Sequence, residues 1–161
     1  MGFSSMAWNK RWIILAVVLT SLPACSDVGG DQNDLLGSDL NDNGIRDDID
    51  EHIKAQFANG KEQLAAAQYA KAGQRVFLIS GTAESQRQRF EALKVINDLT
   101  SATTCIYSAF DGSGNSLKPA AVSQELSSLT FNTRDRIRSY KRFSEALDGQ
   151  AWGLPDGDGC D

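Results

Sequence analysis

The sequence is poor in the residues on which many catalytic and metal sites depend. Its 161 residues include a single histidine, His52, and no cysteine or second histidine stands in register with it. A histidine-based triad and a transition-metal site both need such partners, so neither is expected. Because no other catalytic constellation is present, the sequence predicts that this protein is not an enzyme.

Basic residues are outnumbered as well, with 16 lysines and arginines against 21 aspartates and glutamates and a net charge of −5. A surface of net negative charge repels phosphate backbones, so nucleic-acid binding is not expected. The one basic concentration is a stretch predicted to be helical, which we interpret as a solvated face pairing with the protein's own acids; anionic lipid or an acidic partner is the alternative. It comprises Arg134, Arg136, Arg138, Lys141 and Arg142.

Long apolar runs are also missing, although a short one lies near the start. The run from Trp12 to Leu22 follows Lys10 and Arg11 and falls short of the roughly 20 residues that a membrane-spanning helix needs. A basic start followed by a short apolar run is the layout of a secretory signal. Residues 1–24 are therefore predicted to be a signal peptide, whose removal would leave a net charge of −7.

The end of this run, Leu22-Pro23-Ala24-Cys25, resembles the lipobox of bacterial lipoproteins. The resemblance implies a diacylglycerol thioether on Cys25 and an acyl chain on its amino group, which together hold a protein on its membrane. In the family's sorting rule, Ser26 in place of an aspartate favours the outer membrane. The expected location is thus the cell envelope, facing the periplasm or the surface, with residues 25–38 as a lipidated tether. An ordinary cleaved signal is the alternative.

Residues 39–50 place oxygen-bearing side chains at alternate positions around Gly44. The spacing is the ligand register of an EF-hand calcium loop, and it resembles the loops of thrombospondin type 3 repeats and dockerins. The resemblance implies weak calcium binding, with a dissociation constant of about 10⁻⁴ to 10⁻³ M, as in extracellular modules. The matching residues are Asp39, Asn41, Asn43, Asp47 and Asp50, with Ile45 implied as a backbone-carbonyl ligand.

A simpler interpretation of the same residues needs no metal. Asn43-Gly44 is a strong turn dipeptide, and Asp47 and Asp50 could cap the next helix and complement its dipole. This interpretation does not explain why the two-residue spacing continues upstream to Asp39 and Asn41. Both alternatives predict a helix directly after the loop.

The remainder of the chain, residues 51–161, is predicted to be an all-α bundle of about four to five helices with a C-terminal tail. No stretch alternates as a β-strand does. Asn132 is expected to cap the last helix. Three of the apolar stripes are Ile45, Ile49, Ile53 and Phe57; Phe90, Leu93, Ile96, Leu99, Thr103, Ile106 and Phe110; and Ile137, Tyr140, Phe143 and Leu147.

With Cys25 assigned to lipid, Cys105 and Cys160 remain as an even pair in an oxidising compartment. The sequence predicts that they form a disulfide, with two free thiols as the alternative. The chain is therefore expected to be a lipid-anchored envelope protein with one calcium site, acting as a binding module for another envelope component. The alternative is a structural or assembly lipoprotein in which residues 39–50 form only a turn and a helix cap.

Overall fold

The computed structural model describes residues 32–79, 85–111 and 117–161, and the predicted signal peptide, Cys25 and Ser26 lie outside them. The described residues are helical and contain no strand, which confirms the all-α prediction. None of their helices combines the length and apolar character needed to cross a bilayer. The helices are α1 (Gln32–Leu36), α2 (Asp47–Gln56), α3 (Gly60–Gln74), a 3₁₀ turn (Arg75–Leu78), α4 (Gln86–Phe110), α5 (Pro119–Thr130) and α6 (Arg134–Ala146).

The long helix α4 joins two hydrophobic clusters. Its C-terminal half packs with α2, α3 and α5, where α3 presents alanines that let the helix axes approach closely. Its N-terminal half packs with α6 and the 3₁₀ turn around Val76, Val95 and Phe143. The two clusters make α4 the central element of the bundle.

The stripe predicted for α2 is confirmed, and it fixes the orientation of the loop before it. Ile45, Ile49, Ile53 and Phe57 are all buried in the first cluster, and the Phe57 ring meets Phe110 edge to face at a centroid distance of 5.2 Å. Ile45 belongs to the loop rather than to the helix. Because its side chain is buried, the loop is anchored to the hydrophobic core at its seventh position.

The stripe predicted for α4 is wrong at its start, where Phe90 is 67% exposed and Ala92 and Val95 are buried instead. Phe90, Leu93 and Ile96 recur every three residues. At about 100° per residue, each such step falls roughly 60° short of a full turn, so the row rotates around the helix. One face of the helix cannot hold both ends of such a row.

The N-cap of α6 is Thr133, so the prediction that Asn132 caps this helix is wrong.

The packed part of the chain extends into the segment that the sequence assigns to the tether. In α1 the side chain of Leu35 is buried, and Arg136 of α6 donates to the backbone oxygens of Leu35 at 2.9 Å and Asp34 at 3.3 Å. Gln74 of α3 donates to the oxygen of Leu36 at 3.0 Å. The carbonyl end of α1 is thus capped by side chains from two other helices.

Burial lowers the pKa of the Arg136 guanidinium, and the nearby Arg46 charge lowers it further. We expect Arg136→Ala to reduce the free energy of unfolding by about 2 kcal/mol, because buried carbonyl groups of α1 lose their donors. Urea denaturation of the variant measures this loss. The matched control, Arg138→Ala, removes an exposed arginine from the same helix and should change stability by less than about 0.5 kcal/mol. Equal losses in both variants would contradict the anchoring role of Arg136.

Candidate calcium loop

The loop of residues 39–50 turns sharply at two positions with left-handed backbone, Asp42 with a φ of 55° and Gly44 with a φ of 82°. Aspartate and glycine are among the residues that tolerate this conformation. A Cβ atom at Gly44 would also come within 3.3 Å of the Lys71 side chain. The turn therefore requires glycine at the sixth position of the register.

Asp39, the first position of the register, closes the loop on itself. Its Oδ1 accepts a hydrogen bond from the Asn43 backbone nitrogen at 3.1 Å, and its Oδ2 accepts one from the Gly44 nitrogen at 2.8 Å. The Asn41 side-chain oxygen also accepts from the Asn43 nitrogen, and the Asn43 side-chain oxygen accepts from Ile45. The first, third and fifth positions of the register are thus held by the backbone amides of the same loop.

Asp47, the ninth position, also bonds to the loop. Its Oδ1 accepts from the backbone nitrogen of Leu40 at 3.0 Å, and its Oδ2 accepts from the Ser38 hydroxyl at 2.6 Å. The N-cap of α2 is Arg46, which makes no side-chain capping bond. In the structure, the Asp47 carboxylate therefore links the end of the loop to its beginning, at Ser38 and Leu40, instead of capping the first turn of α2.

Asp50, the twelfth position, lies in the first turn of α2 and is buried. Its Oδ2 accepts from the Asn41 amide nitrogen at 3.3 Å and from the Lys54 ammonium at 2.6 Å. This hydrogen bond to the Asp50 carboxylate raises the pKa of Lys54. The role of Lys54 was not predicted, although its spacing of four residues from Asp50 on a helix is a recognisable ion-pair signal.

The residues fit a hard divalent cation by number and type of donor. Three carboxylates, two amide oxygens and the Ile45 carbonyl make six oxygen-donating residues, and calcium takes six to eight oxygens. Within the described parts of the chain, no group of three or more histidine, cysteine, aspartate or glutamate side chains is arranged so that it could hold a metal ion. The candidate set depends instead on mixing carboxylates with the amides of Asn41 and Asn43.

Two donors now occupy the Asp50 oxygen that a cation would need. The Lys54 side chain is 63% exposed, so it can swing into solvent at little cost. The Asn41 amide can present its oxygen in place of its nitrogen by a half-turn of the side chain. Both rearrangements involve side chains alone, and the buried Ile45 and Ile49 keep the backbone of the loop in place.

We expect Lys54→Met to strengthen calcium binding roughly two- to fivefold, because it removes a competing cation from Asp50 and keeps most of the apolar side chain. Calorimetric titration measures the change. Lys94→Met, which removes an exposed lysine from α4, is the control and should leave the calcium affinity unchanged. An affinity that stays the same or falls in Lys54→Met would show that Asp50 does not act as a calcium ligand.

Cys105 of α4 and Cys160 of the tail form a disulfide, with their Cα atoms 4.7 Å apart, in agreement with the prediction from the cysteine count. The tail is also held by Gln68 of α3, which donates to the oxygen of Gly159 at 2.8 Å and accepts from the nitrogen of Asp161 at 3.3 Å.

His52 lies partly exposed on α2, with its Nε2 3.1 Å from a Glu125 carboxylate oxygen. The structure thus places His52 beside an acidic residue of α5.

Comparison with known proteins returns no match, whether with protein-family models, with curated proteins or with solved structures. The chemistry of the loop must therefore be inferred from the residues of this chain alone.

Proposed function

We propose that this chain is a lipid-anchored cell-envelope protein in which calcium, bound weakly by residues 39–50, stabilises a helical module that binds another envelope component. The observation that carries the proposal is the spacing of Asp39, Asp47 and Asp50 in the sequence. These carboxylates stand at the first, ninth and twelfth positions of one loop, which is shaped by hydrogen bonds from its own backbone. Three negative charges so close in sequence repel one another, and a bound cation would offset that repulsion.

The position of the loop supports a stabilising role for the cation. The loop connects α1 to α2, and its seventh residue, Ile45, is buried in the larger hydrophobic cluster. Bound calcium would hold the chain on both sides of Ile45, and any ligand that binds only the folded state stabilises it. When bound, calcium supplies charge neutralisation and crosslinks the loop through its oxygens.

Two further features support an envelope location. The lipobox-like residues before Cys25 follow a secretory signal pattern. The Cys105–Cys160 disulfide suits an oxidising compartment outside the cytoplasm. The segment between Cys25 and α1 is only six residues long, from Ser26 to Asp31, so a lipid on Cys25 would hold the bundle close to the bilayer.

Calcium titration by calorimetry tests the metal part of the proposal. The protein is the mature chain from residue 25 with Cys25→Ser, which carries no lipid. We expect one saturable site with a dissociation constant of about 10⁻⁴ to 10⁻³ M and weaker binding of magnesium, which demands stricter octahedral geometry. If no calcium binds up to about 10 mM, tenfold above the upper end of that range, residues 39–50 are only a turn.

Mass spectrometry of the N-terminal peptide tests the anchor. We expect the wild-type chain expressed in a bacterium to have a triacylated Cys25 as its N-terminal residue and to partition into the detergent phase. The Cys25→Ser variant should lose both properties, because the thioether cannot form. Cys105→Ser is the control, since it removes a different cysteine and should leave the lipid in place. An unmodified wild-type N-terminus would contradict the anchor and leave the calcium result unaffected.

A further inference from the structure

A groove of about 610 Å³ opens on the side of the bundle formed by α3, α4, α5 and α6. Pockets that bind small molecules have volumes of roughly 300–1,000 Å³ and are mostly apolar. None of the calcium-loop residues lines this groove, so its role is independent of the proposed calcium site. The apolar part of its wall includes Tyr69, Ile96, Leu99, Phe131, Ile137 and Tyr140.

Most hydroxyl groups of the wall, other than that of Tyr140, already form hydrogen bonds within the protein. Thr100 and Thr103 donate to the backbone oxygens one turn earlier on α4, each at 2.7 Å, and Thr104 does the same at 3.0 Å. Tyr69 and Ser127 form a hydrogen bond with each other at 2.7 Å. With its hydroxyl hydrogens engaged in this way, the wall offers few donors to a ligand. The groove therefore favours a chain without polar groups.

The small number of free hydrogen-bond donors in the wall distinguishes between a peptide and a hydrocarbon chain as the ligand. A peptide segment would bring backbone N–H and C=O groups, and each of them costs free energy when it is buried without a partner. A hydrocarbon chain has no such groups and gains from every apolar atom removed from water. The groove is thus better suited to an acyl chain than to a peptide.

The charge of the helix beside the groove indicates which head group the acyl chain would carry. Helix α6 has five basic and two acidic residues in a chain of net charge −5. Arg134 lies three residues before Ile137 and Lys141 four residues after it, so helical spacing places both on the same face as this groove residue. Arg134 is exposed and makes no ion pair within the part of the chain that the structure describes. Lys141 already pairs with Glu145 at 3.6 Å, so Arg134 is the counter-charge that an anionic head group would find there.

We propose that this groove binds one molecule of a single-chain anionic amphiphile, such as a long-chain carboxylate, from solution rather than from a bilayer. Its hydrocarbon chain lies along Ile96, Leu99 and Ile137, and its carboxylate faces Arg134. Leu154 of the disulfide-held tail is 86% exposed and lines the groove, so it gains apolar contact when the chain is bound.

Calorimetric titration of the mature Cys25→Ser chain with dodecanoate below its micelle concentration tests the proposal, in chelator so that calcium is absent. We expect one saturable site. Ile137→Glu should weaken binding at least tenfold because it places a negative charge in the groove, and Ile137 is 56% exposed, so the variant should fold. Arg134→Gln should weaken binding of dodecanoate severalfold and leave binding of the uncharged dodecanol unchanged.

Leu64→Glu is the matched control, because Leu64 is 73% exposed on α3 and does not line the groove. It should bind dodecanoate as the parent chain does. Equal loss in Leu64→Glu and Ile137→Glu would overturn the assignment of the groove. Binding only to anionic vesicles, or only to an acidic peptide with an apolar side chain, would overturn the choice of ligand. Because chelator is present throughout, neither result depends on the calcium site.

Discussion

Asp39→Asn is expected to weaken calcium binding to the mature chain at least tenfold. The substitution keeps the shape of the side chain and removes one of the three carboxylates of the ligand register, at the first position, where both carboxylate oxygens also orient backbone amides. We expect the dissociation constant to rise at least tenfold, from about 10⁻⁴ to 10⁻³ M to about 10⁻³ to 10⁻² M, in a calorimetric titration.

Asp42→Asn is the matched control for this variant. It makes the same chemical change in the same loop at a position outside the ligand register, and asparagine also tolerates the left-handed backbone at Asp42. Calcium affinity should fall by no more than about threefold, through the loss of an exposed charge. Similar losses in the two variants would mean that the loop attracts cations by general charge and has no defined site.

Removing the disulfide is expected to cause the largest loss of stability. Cys105 and Cys160 close a loop with a sequence separation of 55 residues, and chain entropy predicts that the bond contributes about 4 kcal/mol to the free energy of unfolding. Cys160→Ala should lose most of this amount in urea denaturation, since the remaining Cys105 is a small buried side chain. The alanine also frees the C-terminal tail from α4.

Reductant provides the control for the disulfide variant. It should destabilise the wild-type chain by a similar amount and leave Cys160→Ala unchanged. If the variant loses less than about 1 kcal/mol, the bond contributes little beyond the contacts that Gln68 makes with the tail.

Local patterns predicted the elements around the candidate site well. The four-residue spacing of Ile45, Ile49, Ile53 and Phe57 identified both α2 and the face that it buries. The same method failed on α4, where Phe90 is exposed, because neighbouring helices decide which face of a central helix is buried. A pattern of apolar residues carries no information about where those neighbours lie.

Long-range contacts explain what the sequence could not reveal about the site. Arg136 was recognised only as one of several basic residues, yet it caps the carbonyl end of α1 at a sequence separation of 101 residues. The packing of α1 against the bundle was missed for the same reason, since the stretch around Leu35 is polar and short. The Lys54–Asp50 pair, in contrast, is local and could have been recognised from its spacing.

The groove was also invisible in the sequence. Tyr69, Ile96 and Ile137 come from three helices, and each resembles an ordinary core residue when taken alone. The hydroxyl-to-backbone bonds of Thr100 and Thr103 depend on α4 being helical at those residues. Only the packed bundle brings the apolar wall and the basic face of α6 together.

Calcium bound by residues 39–50 is proposed to stabilise the bundle, and thermal unfolding of the mature Cys25→Ser chain measures this effect. The melting temperature is measured in about 10 mM calcium, in the same concentration of magnesium and in chelator. A ligand at 10 to 100 times its dissociation constant stabilises the folded state by roughly 1.4–2.7 kcal/mol, so calcium should raise the melting temperature by about 5–10 °C over chelator. Magnesium should raise it less. Identical melting temperatures in calcium and chelator would contradict the claim and leave residues 39–50 as a turn that leads into α2.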